Sequence, residues 1–168
     1  MRKIATTALI VLASFTLGFA VRSWIAEAPA PERKVTGIGG IFFKCKSPKA
    51  TRAWYRQHLG LNTNPYGAVF QWYQGADSTQ KGYTQWSAFP ESTNYFKPSE
   101  RDFMINYRVV NLEALLKEFK RDSVVVTDTV ETYSYGKFLH IMDPDGNKIE
   151  LWEPYDKEYG KVGSGVTR

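Results

Sequence analysis

Three pairs of landmarks in this chain stand the same 64 residues apart: Ser47 and Asn111, Gly82 and Gly146, Pro90 and Pro154. Ser47 and Asn111 are residue types that cap helix N-termini, each directly before a run with helical character. Gly82 and Gly146 sit at turns, and Pro90 and Pro154 each end a strand-like run. One offset shared by independent landmarks predicts an internal duplication.

The copies can be followed residue by residue. In the first, residues 37–45 are an apolar strand with Ile41, Phe43 and Cys45 on one side and Ile38, Gly40 and Phe42 on the other. Ser47-Pro48 then opens a helix that runs to about Leu59 and stops at Gly60, with Trp54, Tyr55 and Leu59 as its expected buried stripe. Residues 67–74 and 82–89 read as two strands around a polar loop, and 90–101 as a connector without periodicity. In the second copy, residues 102–110 alternate, with Ile105, Tyr107 and Val109 on one face and Met104, Asn106 and Arg108 on the other. Asn111 precedes Leu112, Leu115, Leu116 and Phe119, the spacing of one helical face. Residues 124–130 read as a β-branched strand, and 136–142 with 148–153 as a hairpin. The predicted class is α+β: two βαβββ modules forming one cup-shaped mixed sheet, with helices on the outer face.

The hairpin turn is Asp143-Pro144-Asp145-Gly146, followed by alternating Lys148, Glu150 and Trp152 on one face and Ile149 and Leu151 on the other. If the hairpin is centred on Asp145, His140 lies directly opposite Glu150 on the same face; a one-residue shift would turn it away. A His–carboxylate pair inside a cup has the parts of a general acid–base device.

These motifs resemble the vicinal oxygen chelate superfamily, which includes glyoxalase I, bleomycin-resistance proteins, fosfomycin-resistance enzymes and extradiol dioxygenases. The resemblance rests on Gly39 to Pro48 with Trp54 to Gly60, on Met104 to Val109 with Asn111-Leu112, and on Asp143 to Leu151, and it covers about residues 36–154. In metal-using members the first and last strand of each module supply ligands. Carried over by position, these become Gly40, Trp86, Met104 and Glu150, of which only Glu150 offers an oxygen. A one-residue slip would replace Trp86 by Gln85. The resemblance thus implies a metal site reduced to Glu150, and a divalent metal is disfavoured as cofactor. It implies two readings. One is a cup that binds a small organic molecule, as in bleomycin-resistance-type members. The other is a glyoxalase-like lyase or isomerase acting on a small carbonyl or oxygenated substrate, with Glu150 and His140 as acid–base pair or partial metal site. Asn106, Arg108, Trp86, Gln85, Tyr133 and Tyr135 are the candidate ligand-binding residues. Arg108 has a structural alternative, an ion pair with Glu150, and Trp86, with Trp72 and Tyr73, has one in the core. An extradiol dioxygenase would need two strand-borne histidines, which this pattern lacks.

Residues 4–21 carry no charge and follow Arg2 and Lys3, which predicts a signal peptide or signal anchor over residues 1–25. Residues 26–35 are a Pro/Ala-rich linker. The expected location is extracytoplasmic, periplasmic or secreted, with residues 4–21 as an inner-membrane anchor if uncleaved. The formal charge of +5 does not indicate nucleic-acid binding, because residues 36–154 hold 14 Lys/Arg against 13 Asp/Glu and the surplus lies in the ends. Residues 155–168 read as a flexible basic tail. One cysteine, Cys45, excludes an intramolecular disulfide and a thiol metal cluster. The expected partner is a small molecule, and the sequence leaves a homodimer open.

Overall fold

The computed structural model describes residues 34–75, 79–162 and 166–167. The expected leader and most of the linker lie outside the described residues. No helix among the described residues is long and apolar enough to cross a membrane.

The first module consists of β1 (Val35–Cys45), α1 (Pro48–Leu59), β2 (Ala68–Tyr73) and β3 (Lys81–Pro90). The second consists of β4 (Phe103–Val109), α2 (Leu112–Arg121), β5 (Glu131–Tyr133), β6 (Gly136–Met142) and β7 (Lys148–Pro154). After it come α3 (Asp156–Val162) and β8 (Val166–Thr167). All eight strands join one sheet in the order β5-β6-β7-β4-β1-β3-β2-β8. β1 and β4 meet antiparallel at the centre, and each pairs in parallel with the last strand of its own module, β3 and β7. The α+β class and the mixed sheet with two modules are as the sequence predicts. The modules are not equal, however. In the second, β5 forms the outer edge; at the matching place in the first, β8 pairs with β2 at Val69↔Val166 and Phe70↔Thr167.

Local chemistry explains the helix ends. Ser47 Oγ accepts from Ala50 N, Pro48 occupies the first turn, and Gly60 closes α1 in the left-handed region at φ 69°. Asn111 caps α2 by accepting from Ala114 N while itself holding φ 53°. Asparagine suits both roles, since its side chain caps and its backbone tolerates the left-handed region. Asn111→Ala is therefore expected to destabilise by about 2 kcal/mol, and Asn111→Gly by only a few tenths. Urea unfolding of the two variants checks this, because the loss of the cap alone would leave them much closer together.

The two helices differ in what they bury. The stripe of α2 packs on the sheet, with Leu112 and Leu115 in one core cluster with Val109, Leu139, Ile141 and Leu151. Helix α1 buries no residue completely, and Trp54 and Leu59, expected in the core, are 52% and 58% exposed. Its apolar residues are too few to make a full stripe. Tyr55 alone of the three reaches a sheet aromatic, Trp86, at 4.6 Å between ring centroids, while Trp54 lies along its own helix against His58 at 4.9 Å. Residues 124–130 also depart from expectation. They form no strand beyond the isolated bridge Val126↔Ile141, and the short strand lies later, at Glu131–Tyr133. Asp128 interrupts the run, because its carboxylate accepts from the backbone N of His140 on β6 and leaves the ladder irregular. Residues 156–162, expected in a flexible tail, form α3, which docks through Asp156 and Tyr159.

Candidate functional site

The concave face encloses a cup of about 700 Å³. The register of β6 and β7 places His140 opposite Glu150 and Leu139 opposite Leu151, so the hairpin is centred where the turn chemistry predicts. Asp143 sets that centre: its side chain accepts from the backbone N of Asp145 and Asn147 at 3.0 and 2.8 Å.

Glu150 stands on the floor of the cup, 2% exposed, and both its oxygens are occupied. Oε1 accepts from the Tyr95 hydroxyl and lies 3.0 Å from His140 Nε2; Oε2 accepts from Asn106 Nδ2. The other ring nitrogen of His140, Nδ1, is 2.6 Å from Asp128 Oδ2. A neutral imidazole donates from only one ring nitrogen, so a histidine between two carboxylates needs one further proton, on its second nitrogen or on the carboxylate that faces it. The four groups Asp128, His140, Glu150 and Tyr95 thus form one continuous hydrogen-bonded chain. Burial first, and the charge of Glu150 second, hold the Tyr95 hydroxyl far above the usual phenol range. Burial also draws Lys148 below its usual value; its ammonium donates to the Tyr95 carbonyl at 2.8 Å.

Of the candidate ligand-binding residues, Gln85, Asn106, Tyr133 and Tyr135 line the cup with His140 and Glu150. Tyr133 and Tyr135 stack at 5.5 Å on its rim. Trp86 does not line it. It packs on the opposite face against Phe43 and Tyr55. The landmarks share an offset of 64, but the strand register matches Gln85, partner of Gly40, with Glu150, partner of Asn106. One residue of slip exchanges the faces of a strand, which moved the position from Gln85 to Trp86. The same register replaces Met104 by Asn106 at the centre; Met104 packs with Phe42 and Phe96.

Arg108 faces neither the cup nor Glu150. Its guanidinium lies between Trp72 and Trp152, 5.4 and 5.2 Å from the ring centroids, and donates to Asp156 Oδ2 of α3 at 2.7 Å. The sequence reading also missed Tyr95 and Asp128. Tyr95 lies in a connector without periodicity, and Asp128 in a run read as a strand that does not form. It likewise missed Tyr159, which donates to Gln85 Oε1 at 2.8 Å and packs on Trp152 at 4.8 Å. Burial chiefly, with the neighbouring Tyr135 second, pushes the Tyr159 phenol up to about 12. The folded chain then keeps a proton that the unfolded chain loses near its ordinary value of about 10. This contribution to stability is complete below about pH 10 and is lost as pH rises toward about 12. Tyr159→Phe is expected to flatten the alkaline fall in urea midpoint, and an unchanged slope above about pH 10 would refute the assignment.

The resemblance noted above implies a divalent-metal site, and the four central positions of this chain do not fit one. They are Gly40, Gln85, Asn106 and Glu150. A ligating side chain at Gly40 would begin 2.6 Å from the Phe42 ring. The Glu150 oxygens are already bonded within the protein, and Gln85 Oε1 is bonded to Tyr159. No group of three acidic, histidine or cysteine side chains among the described residues could hold a metal ion.

No protein-family model and no curated protein sequence matches the chain. Solved structures do. Methylmalonyl-CoA epimerase from Mycobacterium tuberculosis is 19% identical, with a TM-score of 0.52 over 80% of this chain and 97% of that one. A Streptomyces coelicolor methylmalonyl-CoA epimerase variant in complex with 2-nitronate-propionyl-CoA is 16% identical, with a TM-score of 0.53 over 74% and 98%. A glyoxalase/bleomycin resistance protein/dioxygenase superfamily member from Vibrio splendidus 12B01 is 14% identical, with a TM-score of 0.45 over 69% and 97%. At these identities the likeness is one of architecture, and it agrees with the strand order and the paired modules: the chain has the fold of the vicinal oxygen chelate superfamily.

Proposed function

We propose that the domain binds a small organic molecule in the cup and does so without a resident divalent metal. The observation that carries this reading is the lining. Phe42, Phe89, Tyr133, Tyr135, Phe138 and Trp152 surround a polar floor at Asn106, His140 and Glu150. Mostly apolar walls with a few convergent polar groups are the usual make-up of a small-molecule site. The reading is tested by a thermal-shift screen of small aromatic and carbonyl compounds. Hits should lose their effect in Trp152→Ala, because Trp152 stacks on Phe138 at 5.9 Å and forms part of the wall. Hits that persist in that variant bind elsewhere, and a screen with none removes the reading. The charge-free residues 4–21 support an extracytoplasmic location for the domain; a periplasmic reporter fused after residue 34 tests it.

One observation favours a second reading, an acid–base enzyme acting beside a carbonyl. It is the chain Asp128–His140–Glu150–Tyr95, in which one proton can sit on either side of the His140–Glu150 contact. The group would then remove a carbon-bound proton and return it. Exchange of the α-protons of hydroxyacetone into D2O, followed by NMR, tests this. Exchange abolished in Glu150→Gln supports the enzyme, and exchange at the buffer rate leaves the binding reading alone. Binding is the better supported, because the lone pairs a base would use already accept bonds from Tyr95, Asn106 and His140.

A further inference from the structure

The cup has a consistent polarity. Its lining contains two glutamates, Glu131 and Glu150, and no lysine or arginine. Most of its donors are already engaged. The hydroxyls of Tyr95, Tyr133 and Tyr159 donate to Glu150, Glu131 and Gln85 respectively. Gln85 Nε2 donates to the Tyr66 carbonyl and to Ser87 Oγ, and Ser87 Oγ donates to the Tyr66 carbonyl. Acceptors remain. Asn106 Oδ1 is buried without a hydrogen-bond partner among the described residues, and Asn106 lines the cavity. The Glu131 carboxylate keeps lone pairs beyond the bond it accepts from Tyr133, and Glu150 adds its charge at the floor. Around these acceptors stand π faces, with Phe138 stacked on Trp152 at an interplanar angle of 6° and Tyr133 on Tyr135 at 10°. The Lys148 ammonium is held by the Tyr95 carbonyl, and a further carboxylate, Asp128, backs His140. Consistent with this field, the phenol of Tyr135 is raised, first by burial and then by the charges of Glu150 and Glu131.

An anion would meet two carboxylates and few free donors. A neutral ligand gains little from the carboxylate charges. A cation gains from the carboxylates and from the ring faces together. Resting on the binding reading above, we propose that the ligand of the cup is an organic cation, a primary or substituted ammonium carried on a small aromatic or aliphatic body.

Three probes of nearly one shape and different charge test this: 2-phenylethylammonium, 2-phenylethanol and phenylacetate, titrated calorimetrically into the full chain at low salt. The cation is expected to bind about tenfold or more tighter than the alcohol, with phenylacetate weakest. Glu131→Gln, at the exposed rim, and Glu150→Gln, at the floor, should each reduce the affinity for the cation several-fold while leaving that for the alcohol within about twofold. If the alcohol or phenylacetate binds as tightly as the cation, the cation proposal fails and the binding reading stands. If none of the three binds, both fail.

Discussion

Replacing Asp156 by alanine is expected to lower stability by about 3 kcal/mol, the lower end of the cost of unpairing a buried charge. For a domain of this size that is a fall of roughly 10 °C in melting temperature. Arg108 is 1% exposed and pairs with Asp156, while its Nε and Nη1 have no hydrogen-bond partner among the described residues. The flanking Trp72 and Trp152 rings offset only part of the desolvation, about 2 kcal/mol at most for each. Once Asp156 is removed, the guanidinium is left buried, and α3 loses its anchor. Gln74, which donates to the same carboxylate oxygen at 2.9 Å, loses that acceptor and keeps the Lys81 carbonyl. The double variant Arg108→Met/Asp156→Ala is expected to recover more than half of the loss, because an apolar side chain between two indoles needs no counter-charge. Urea unfolding followed by tryptophan fluorescence measures both. A single variant within 0.5 kcal/mol of the parent (roughly the scatter of a neutral surface change) would show that Arg108 is not held by this pair.

The second large effect is expected at Glu150. Glu150→Ala removes the acceptor of Tyr95 and Asn106 and the partner of His140 in one step. Each buried donor left alone costs about 1–3 kcal/mol, and water entering from the cup recovers part of it, so a net loss of about 2 kcal/mol is expected. Glu150→Gln should cost less than about 1 kcal/mol. The reason is specific to Asn106. Its Oδ1 is unpartnered, so a flipped Asn106 amide can accept from the new side-chain NH2 while the Gln oxygen keeps Tyr95 and His140. Equal losses in the two variants would show that the negative charge, rather than the acceptor geometry, holds the floor together.

What the sequence revealed follows from how locally each feature is encoded. The caps at Ser47 and Asn111, the stripe of α2 and the register of the last hairpin depend on residues within a few positions of one another, and all are present. His140 opposite Glu150 follows from the Asp143 turn alone. The exchange of Gln85 for Trp86 shows the limit. Side-chain direction on a strand has a period of two, so an offset taken from strand ends, where landmarks sit, need not hold at the strand centre. At Met104 the offset errs by two residues, which keeps the face and shifts the position along the strand to Asn106. Tyr95 lies in a connector, where no periodicity says which way a side chain points, and Asp128 in a run whose strand reading fails; both approach Glu150 and His140 only through tertiary packing. Arg108 was legible as facing away from Ile105 and Tyr107. Its partner lay in a segment whose lysines made it look like solvent-exposed tail. The failure of the α1 stripe is one of degree: three apolar residues were enough to suggest a buried face and too few to make one.

The outer edge of the first module is supplied by residues that come after the second module, and this has a consequence for the order in which the molecule can be completed. A chain emerging in sequence finishes the second module's own edge, β5 through β7, before anything is available to lie beside β2. Until residues 156–167 arrive, β2 is an open strand edge and Arg108 waits in water beside Trp72. The earlier half of the molecule is therefore the later to mature, and chain cut after Pro154 would retain a template for pairing with its neighbours.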